Sequence, residues 1–210
     1  MKLLNTTNRV FKLLVVAMLV MTAAGLQAES SKSDGTEVVI TLQNGLIQAM
    51  QQGQKIGYSG RLKLLTPIIQ QTHDLAAIIR SVLGAHWAKL NSDQQQAISQ
   101  AFQENSIATY ADRFSQYDGE QFKIVERTQL PRGRILVRSQ LIRTDGNPVN
   151  FDYVMDKTSE GWRIINIVVD GVSDLALKRA EYNAVLQKNG IAALIDMLEQ
   201  KTAYIEQSHQ

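Results

Sequence analysis

Catalysis or metal binding in this chain would have to be built from three histidines, His73, His86 and His209, and from two carboxylates beside apolar runs, Asp152 and Asp170. There is no cysteine, so no thiol nucleophile and no disulfide. No H-E-x-x-H, no G-x-S-x-G and no glycine-rich phosphate loop occurs. His209 sits in the tail, and nothing supplies the three clustered ligands that a metal centre needs. No metal and no cofactor is expected. His73 and His86 read as ordinary surface or partly buried side chains. A carboxylate buried beside a polar partner would rise in pKa and could act as a base. Asp152, however, reads as a solvent-facing strand residue and Asp170 as a turn residue.

The elements that would position these groups fall into two periodicities. Up to Gly119 the apolar spacing is helical. Asp34 or Thr36 caps a helix carrying Val39, Leu42, Leu46, Ile47 and Met50, with Gly53 past its end. Thr66-Pro67 reads as an N-cap with proline at the first helical position. Asp74 caps a helix through Leu75, Ile78, Ile79 and Val82 that Gly84 closes. Ser92 and Gln95 form a capping-box pattern ahead of a long helix through Ile98, Phe102, Ile107, Tyr110 and Phe114. From Phe122 the period becomes two. Four strands are expected: one around Phe122–Val125, one at Arg134–Arg143, one carrying Val149, Phe151, Tyr153 and Met155 on one side, and one at Trp162–Val169. Asp145-Gly146-Asn147-Pro148 and Ser159-Glu160-Gly161 supply turns. The last strand is apolar on both faces, which predicts cover on both sides. Ser173 caps a further helix, Asn189-Gly190 breaks it, and a final helix carries Leu194, Ile195, Leu198 and Tyr204. The fold class is α+β: N-terminal helices, an antiparallel four-stranded meander, and C-terminal helices packed on one sheet face.

The first 28 residues stand apart. Lys2, Arg9 and Lys12 precede an uncharged apolar run, Leu13 to Ala24, and Leu26-Gln27-Ala28 offers a small residue for cleavage. This is the layout of a secretory signal peptide, and the run is shorter than the about 20 residues of a membrane span. An uncleaved anchor is the alternative. Without those three bases the 22 Lys and Arg against 20 Asp and Glu become 19 against 20. The basic balance that would suggest a polyanion partner disappears, and no nucleic acid is expected as a partner. Residues 29–210 read as a single domain with a sizeable core.

Four stretches resemble the MlaC family of periplasmic phospholipid-binding proteins, also called the toluene-tolerance auxiliary family. They are Asp74-Leu75 leading to Gly84-Ala85-His86-Trp87; Ser92 to Phe102, continuing to Tyr110 and Tyr117-Asp118-Gly119; Asp152-Tyr153-Val154-Met155; and Gly161-Trp162-Arg163 with Asp170-Gly171-Val172-Ser173, followed by Arg179 and Tyr182. The resemblance spans roughly Val38 to Tyr204. Asn166 stands where the family usually has Asp, and the run Ser173 to Tyr182 looks like the hopanoid-associated, HpnM-like branch.

The resemblance implies a non-enzymatic carrier between inner and outer membrane, taking a phospholipid or a hopanoid in an apolar cavity and meeting membrane lipid-transport complexes. The residues expected to line such a cavity are Phe151, Tyr153, Met155, Ile164, Val168, Phe102, Tyr110 and Leu136. Arg163, Arg179 and Lys178 are the expected head-group bases. Two other readings stay open on the residues alone: a periplasmic adaptor with a filled core and no lipid, and an isomerase or hydrolase acting on a hydrophobic substrate through Asp152 or Asp170.

Overall fold

The computed structural model describes residues 34–209, so the expected leader lies outside the described residues. Helix α1 (Thr36–Thr72) is followed by α2 (Leu75–Leu83), a 3₁₀ turn at Gly84–Lys89 and α3 (Ser92–Arg113). Strands β1 (Gln121–Gln129), β2 (Ile135–Ile142), β3 (Pro148–Thr158), β4 (Gly161–Val169) and β5 (Val172–Ser173) come next, then α4 (Asp174–Gln207). The strands form one antiparallel sheet in the order β1-β2-β3-β4-β5. The meander has the four expected strands and a short fifth, which forms where the turn at Asp170-Gly171 folds Val172 back onto Val169. Both turn residues take positive φ (47° and 82°), as a two-residue hairpin requires.

Two of the long helices are hairpins. Gly57 (φ 62°, ψ −173°) interrupts α1, and Gly190 (φ 81°, ψ −177°) interrupts α4. Only glycine holds such angles without strain. The arms of α1 pack so closely that a Cβ on Gly45 would meet Ile68 at 2.5 Å. The arms of α4 are joined by an ion pair between Glu181 and Lys201. The stop expected at Gly53 therefore falls four residues later. Gly53 is buried inside the helix because the carbonyl of Ser115 approaches it: a Cβ there would lie 2.1 Å from that oxygen. Pro67 likewise sits within the second arm, where the fully buried Leu65 and Ile69 carry the helix through it.

The other boundaries follow the side chains that cap them. Asp74 accepts from the Ala77 N–H at 2.8 Å and Ser173 from Ala176 N–H at 3.2 Å. The capping box of α3 uses Asn91 and Gln94, one residue before the expected pair, because Gln95 donates to the Trp87 and Leu90 carbonyls instead.

Two apolar clusters result. One joins α1 to the sheet through Leu42, Leu46, Leu65, Ile69, Val137, Tyr153, Met155 and Ile164. The other joins α2, α3 and α4 through Ile79, Val82, Phe102, Tyr182, Leu194 and Leu198. On the sheet's other face Leu136, Val154 and Val168 are half-buried, so β4 lacks the full double cover its composition suggested. Among the described residues no helix is long and apolar enough to cross a membrane.

Candidate functional site

The two clusters do not close on one another. Between them lies a cavity of about 790 Å³, well inside the 300–1,000 Å³ range of ligand sites. Its floor is the inner face of β3 and β4: Phe151, Tyr153, Ile164, Ile167 and Val169. Leu42 and Leu46 of α1, Leu75 and Ile78 of α2, and Phe102, Tyr110 and Phe114 of α3 form the walls. Leu175, Tyr182, Met197 and Ile205 of α4 complete them. At the rim two apolar side chains face water, Leu177 at 58% and Tyr204 at 74% exposure. Charged groups stand beside them. Lys178 pairs with Asp174 at 2.5 Å, Lys201 pairs with Glu181, and Asp112 and Arg113 come from the end of α3.

Five of the eight residues expected on this surface are there: Phe151, Tyr153, Ile164, Phe102 and Tyr110. Met155 is fully buried in the adjoining cluster and does not reach the cavity. Val168 and Leu136 are corrections. β4 carries a bulge: Met155 pairs with Ile164 but Val154 with Asn166, leaving Ile165 as the extra residue. The alternation reverses there. Ile167 and Val169 then stand opposite Tyr153 and Phe151 on the cavity side, and Val168 stands opposite Asp152 on the other. Leu136 pairs with Val154 on that same outer face.

The expected head-group bases are also redistributed. Arg163 lies in a separate, small polar pocket, bonded to Glu160 at 3.2 Å and to the Trp162 carbonyl at 3.0 Å. Arg179 donates to the Ser81 carbonyl at 2.6 Å and ties α4 to α2. Lys178 does line the cavity. The residues the reading missed, Arg113 and Lys201, were visible in principle. Arg113 follows Tyr110 by three positions, and Lys201 joins Met197 and Tyr204 in a stripe of helical spacing.

Neither carboxylate singled out for catalysis lines the cavity. Asp152 lies 3.8 Å from Arg138 on the outer face. Asp170 is the hairpin residue, its Oδ1 accepting from the Asn150 N–H at 2.8 Å. His86 is half-buried in the 3₁₀ turn. His209 pairs with Asp112 at 2.8 Å and stacks on Tyr58, with 4.9 Å between centroids.

His73 is not the ordinary side chain expected. It is buried in the cavity wall, where its backbone bridges to Ile164 at the edge of β4. Desolvation pulls its pKa down to about 4, so the ring is neutral at pH 7. Its Nδ1 lies 3.0 Å from the Thr72 hydroxyl and its Nε2 3.0 Å from the Tyr110 hydroxyl. The Thr72 hydroxyl donates to the Ile68 carbonyl at 2.7 Å, so it must accept from His73. That places the proton on Nδ1 and leaves Nε2 to accept from Tyr110. Burial pushes the Tyr110 phenol well above its ordinary value, so it stays protonated to donate.

Residues 41–200 match the family model described as MlaC protein. The chain belongs to the MlaC family. A solved structure with the same fold is that of a phospholipid-binding protein from Ralstonia solanacearum in complex with a phospholipid. It is 21% identical, with a TM-score of 0.72 over 83% of this chain and 99% of that one. The MlaC match takes in the cavity floor and nearly all of its walls. Lys201, Tyr204 and Ile205 lie just beyond it.

Proposed function

We propose that this MlaC-family chain is a lipid carrier of the periplasm. On this reading residues 1–28 are a cleaved export signal and 29–210 act as one lipid-binding domain that shelters a phospholipid or a hopanoid between the inner and outer membranes. The observation that carries the reading is the unfilled apolar cavity of about 790 Å³ between the sheet and the helix hairpins. Two acyl chains of about 15 methylenes each would cost on the order of 24 kcal/mol to expose to water. A lipid crosses an aqueous space at a useful rate only if something replaces the bilayer around its tails. An apolar hollow does this without a nucleophile, a metal or a general base.

The lipid held by the Ralstonia protein supports the choice of ligand, and the charged rim supports a head group left at the mouth. Exchange would involve membrane lipid-transport complexes and transient membrane contact, with the exposed Leu177 and Tyr204 beside the opening. The adaptor alternative called for a filled core, against which the cavity stands. The enzyme alternative needed Asp152 or Asp170 inside it. The test is native mass spectrometry of protein purified from the envelope of its own source, followed by solvent extraction. One lipid per chain is the expected result. Protein with no lipid under several growth conditions would refute the proposal.

A further inference from the structure

The lipid-carrier reading leaves the polar side of the cavity unused. On α3, Ser106, Thr109 and Tyr110 all line it, at the spacing that puts them on one helix face. Each is a hydroxyl, but none offers its proton to the cavity. Ser106 donates to the Phe102 carbonyl at 2.7 Å, and Thr109 to the Asn105 carbonyl at 2.7 Å. Tyr110 donates to Nε2 of His73, whose Nδ1 proton is held by Thr72, whose own proton is held by Ile68. The stripe is therefore one of hydrogen-bond acceptors. The first two hydroxyls can rotate. Tyr110 cannot reverse its bond unless His73 changes tautomer.

The ester and phosphate oxygens of an ordinary diacyl phospholipid are themselves acceptors and gain no donor from Tyr110. A hydroxyl carried on the hydrocarbon of the ligand would donate to it. Buried anywhere else along the apolar floor, that hydroxyl would lose its water partners without replacement. We infer that this cavity selects a lipid bearing a hydroxyl group on its hydrocarbon portion, read by the Tyr110 oxygen through the relay Tyr110–His73–Thr72. This rests on the carrier reading and names the ligand class for the same site. The hydroxyl has two possible sources, a hydroxylated acyl chain or a hydroxylated polycyclic hydrocarbon.

The test is competition against a fluorescent fatty acid bound to the full mature chain, in two arms. One arm compares 12-hydroxystearate with stearate; the other compares a polycyclic alcohol with its parent hydrocarbon. The wild type should favour the hydroxylated member in at least one arm by roughly 5- to 10-fold, the range of one net hydrogen bond. The arm that shows the preference names the source. Tyr110→Phe should erase that preference, so that the hydroxylated and plain competitors displace the probe equally. Thr72→Val removes the hydroxyl that accepts from Nδ1–H and so favours the tautomer that donates from Nε2. Tyr110 then turns its own proton to the cavity, so the preference should pass to a ketone-bearing competitor. This isosteric variant keeps the test alive if Tyr110→Phe fails to fold. Parity in both arms for the wild type, a preference that survives Tyr110→Phe, or no change in Thr72→Val would overturn the inference and leave the carrier reading standing. Failure of every lipid to bind the wild type would overturn both.

Discussion

Replacing His73 with glutamine should change how the stability of this protein responds to acid. The ring titrates at about 4 in the fold against an ordinary 6.5, because burial disfavours its charged form. The folded pKa is the lower one, so between pH 4 and 6.5 the unfolded chain binds more protons than the folded chain. Stability contributed by the neutral ring is complete above pH 6.5 and is lost as pH falls toward 4. Each pH unit in that window carries about 1.4 kcal/mol, so the loss saturates at about 3 kcal/mol. Besides burial, the groups that bear on the ring are the Ile69 backbone and Asp174, which favour its protonation, Lys178, which opposes it, and the Tyr110 and Thr72 hydroxyls bonded to it. Carboxylates elsewhere also titrate in this range, so the measurement is a difference. Urea unfolding of the wild type and His73→Gln at pH 7, 6, 5 and 4 should give curves that converge by about 3 kcal/mol as pH falls. Glutamine is chosen because its carbonyl can still accept from Tyr110. Parallel curves across that window would show that His73 is not buried neutral, and the relay argument would go with it.

Five further substitutions separate the structural claims. Ile167→Trp should fill the cavity and lower affinity for a fluorescent fatty acid at least tenfold, while Val168→Trp, one residue along, should leave it within about twofold; equal effects would mean that the β4 bulge is misplaced. Gly190→Ala puts a side chain at φ 81° and should lower stability by about 1–3 kcal/mol in urea unfolding, as should Gly57→Ala. Arg61 is buried and donates to the Ala111 carbonyl at 2.7 Å and the Gly53 carbonyl at 2.9 Å; Arg61→Met should cost about 2–4 kcal/mol in the same assay, because both carbonyls lose their donor.

What the sequence revealed and what it hid divide along physical lines. Caps and turns were legible because one side chain decides them: Asp74, Gly84, Asp145-Gly146 and Ser173 act within three residues of where they stand. The inner face of β3 was legible because its alternation is unbroken. β4 was not. Its run Ile164-Ile165-Asn166-Ile167-Val168-Val169 is nearly all apolar, so no contrast marks which residue is doubled at the bulge, and one extra residue exchanges Val168 for Ile167 and Val169. Gly53 and Gly57 look alike in sequence. One admits a neighbour's backbone and the other bends the chain, and only packing tells them apart. The basic residues failed for a related reason. An arginine's reach lets a nearby carbonyl or carboxylate claim it, as Ser81 claims Arg179 and Glu160 claims Arg163, and these partners are remote or conformation-dependent. His73 was underestimated because its surroundings arrive from Thr72 on one side and Tyr110, 37 residues later, on the other.

The far arm of α4 is made after every other wall of the cavity. It brings Met197, Lys201, Tyr204 and Ile205 to the cavity, and His209 then fastens the end to Asp112. Until that arm docks, the greasy floor laid down by β3 and β4 lies open along one side. The container is finished only when its closing stave arrives, so a nascent chain stalled shortly after Gly190 presents a basin rather than a vessel.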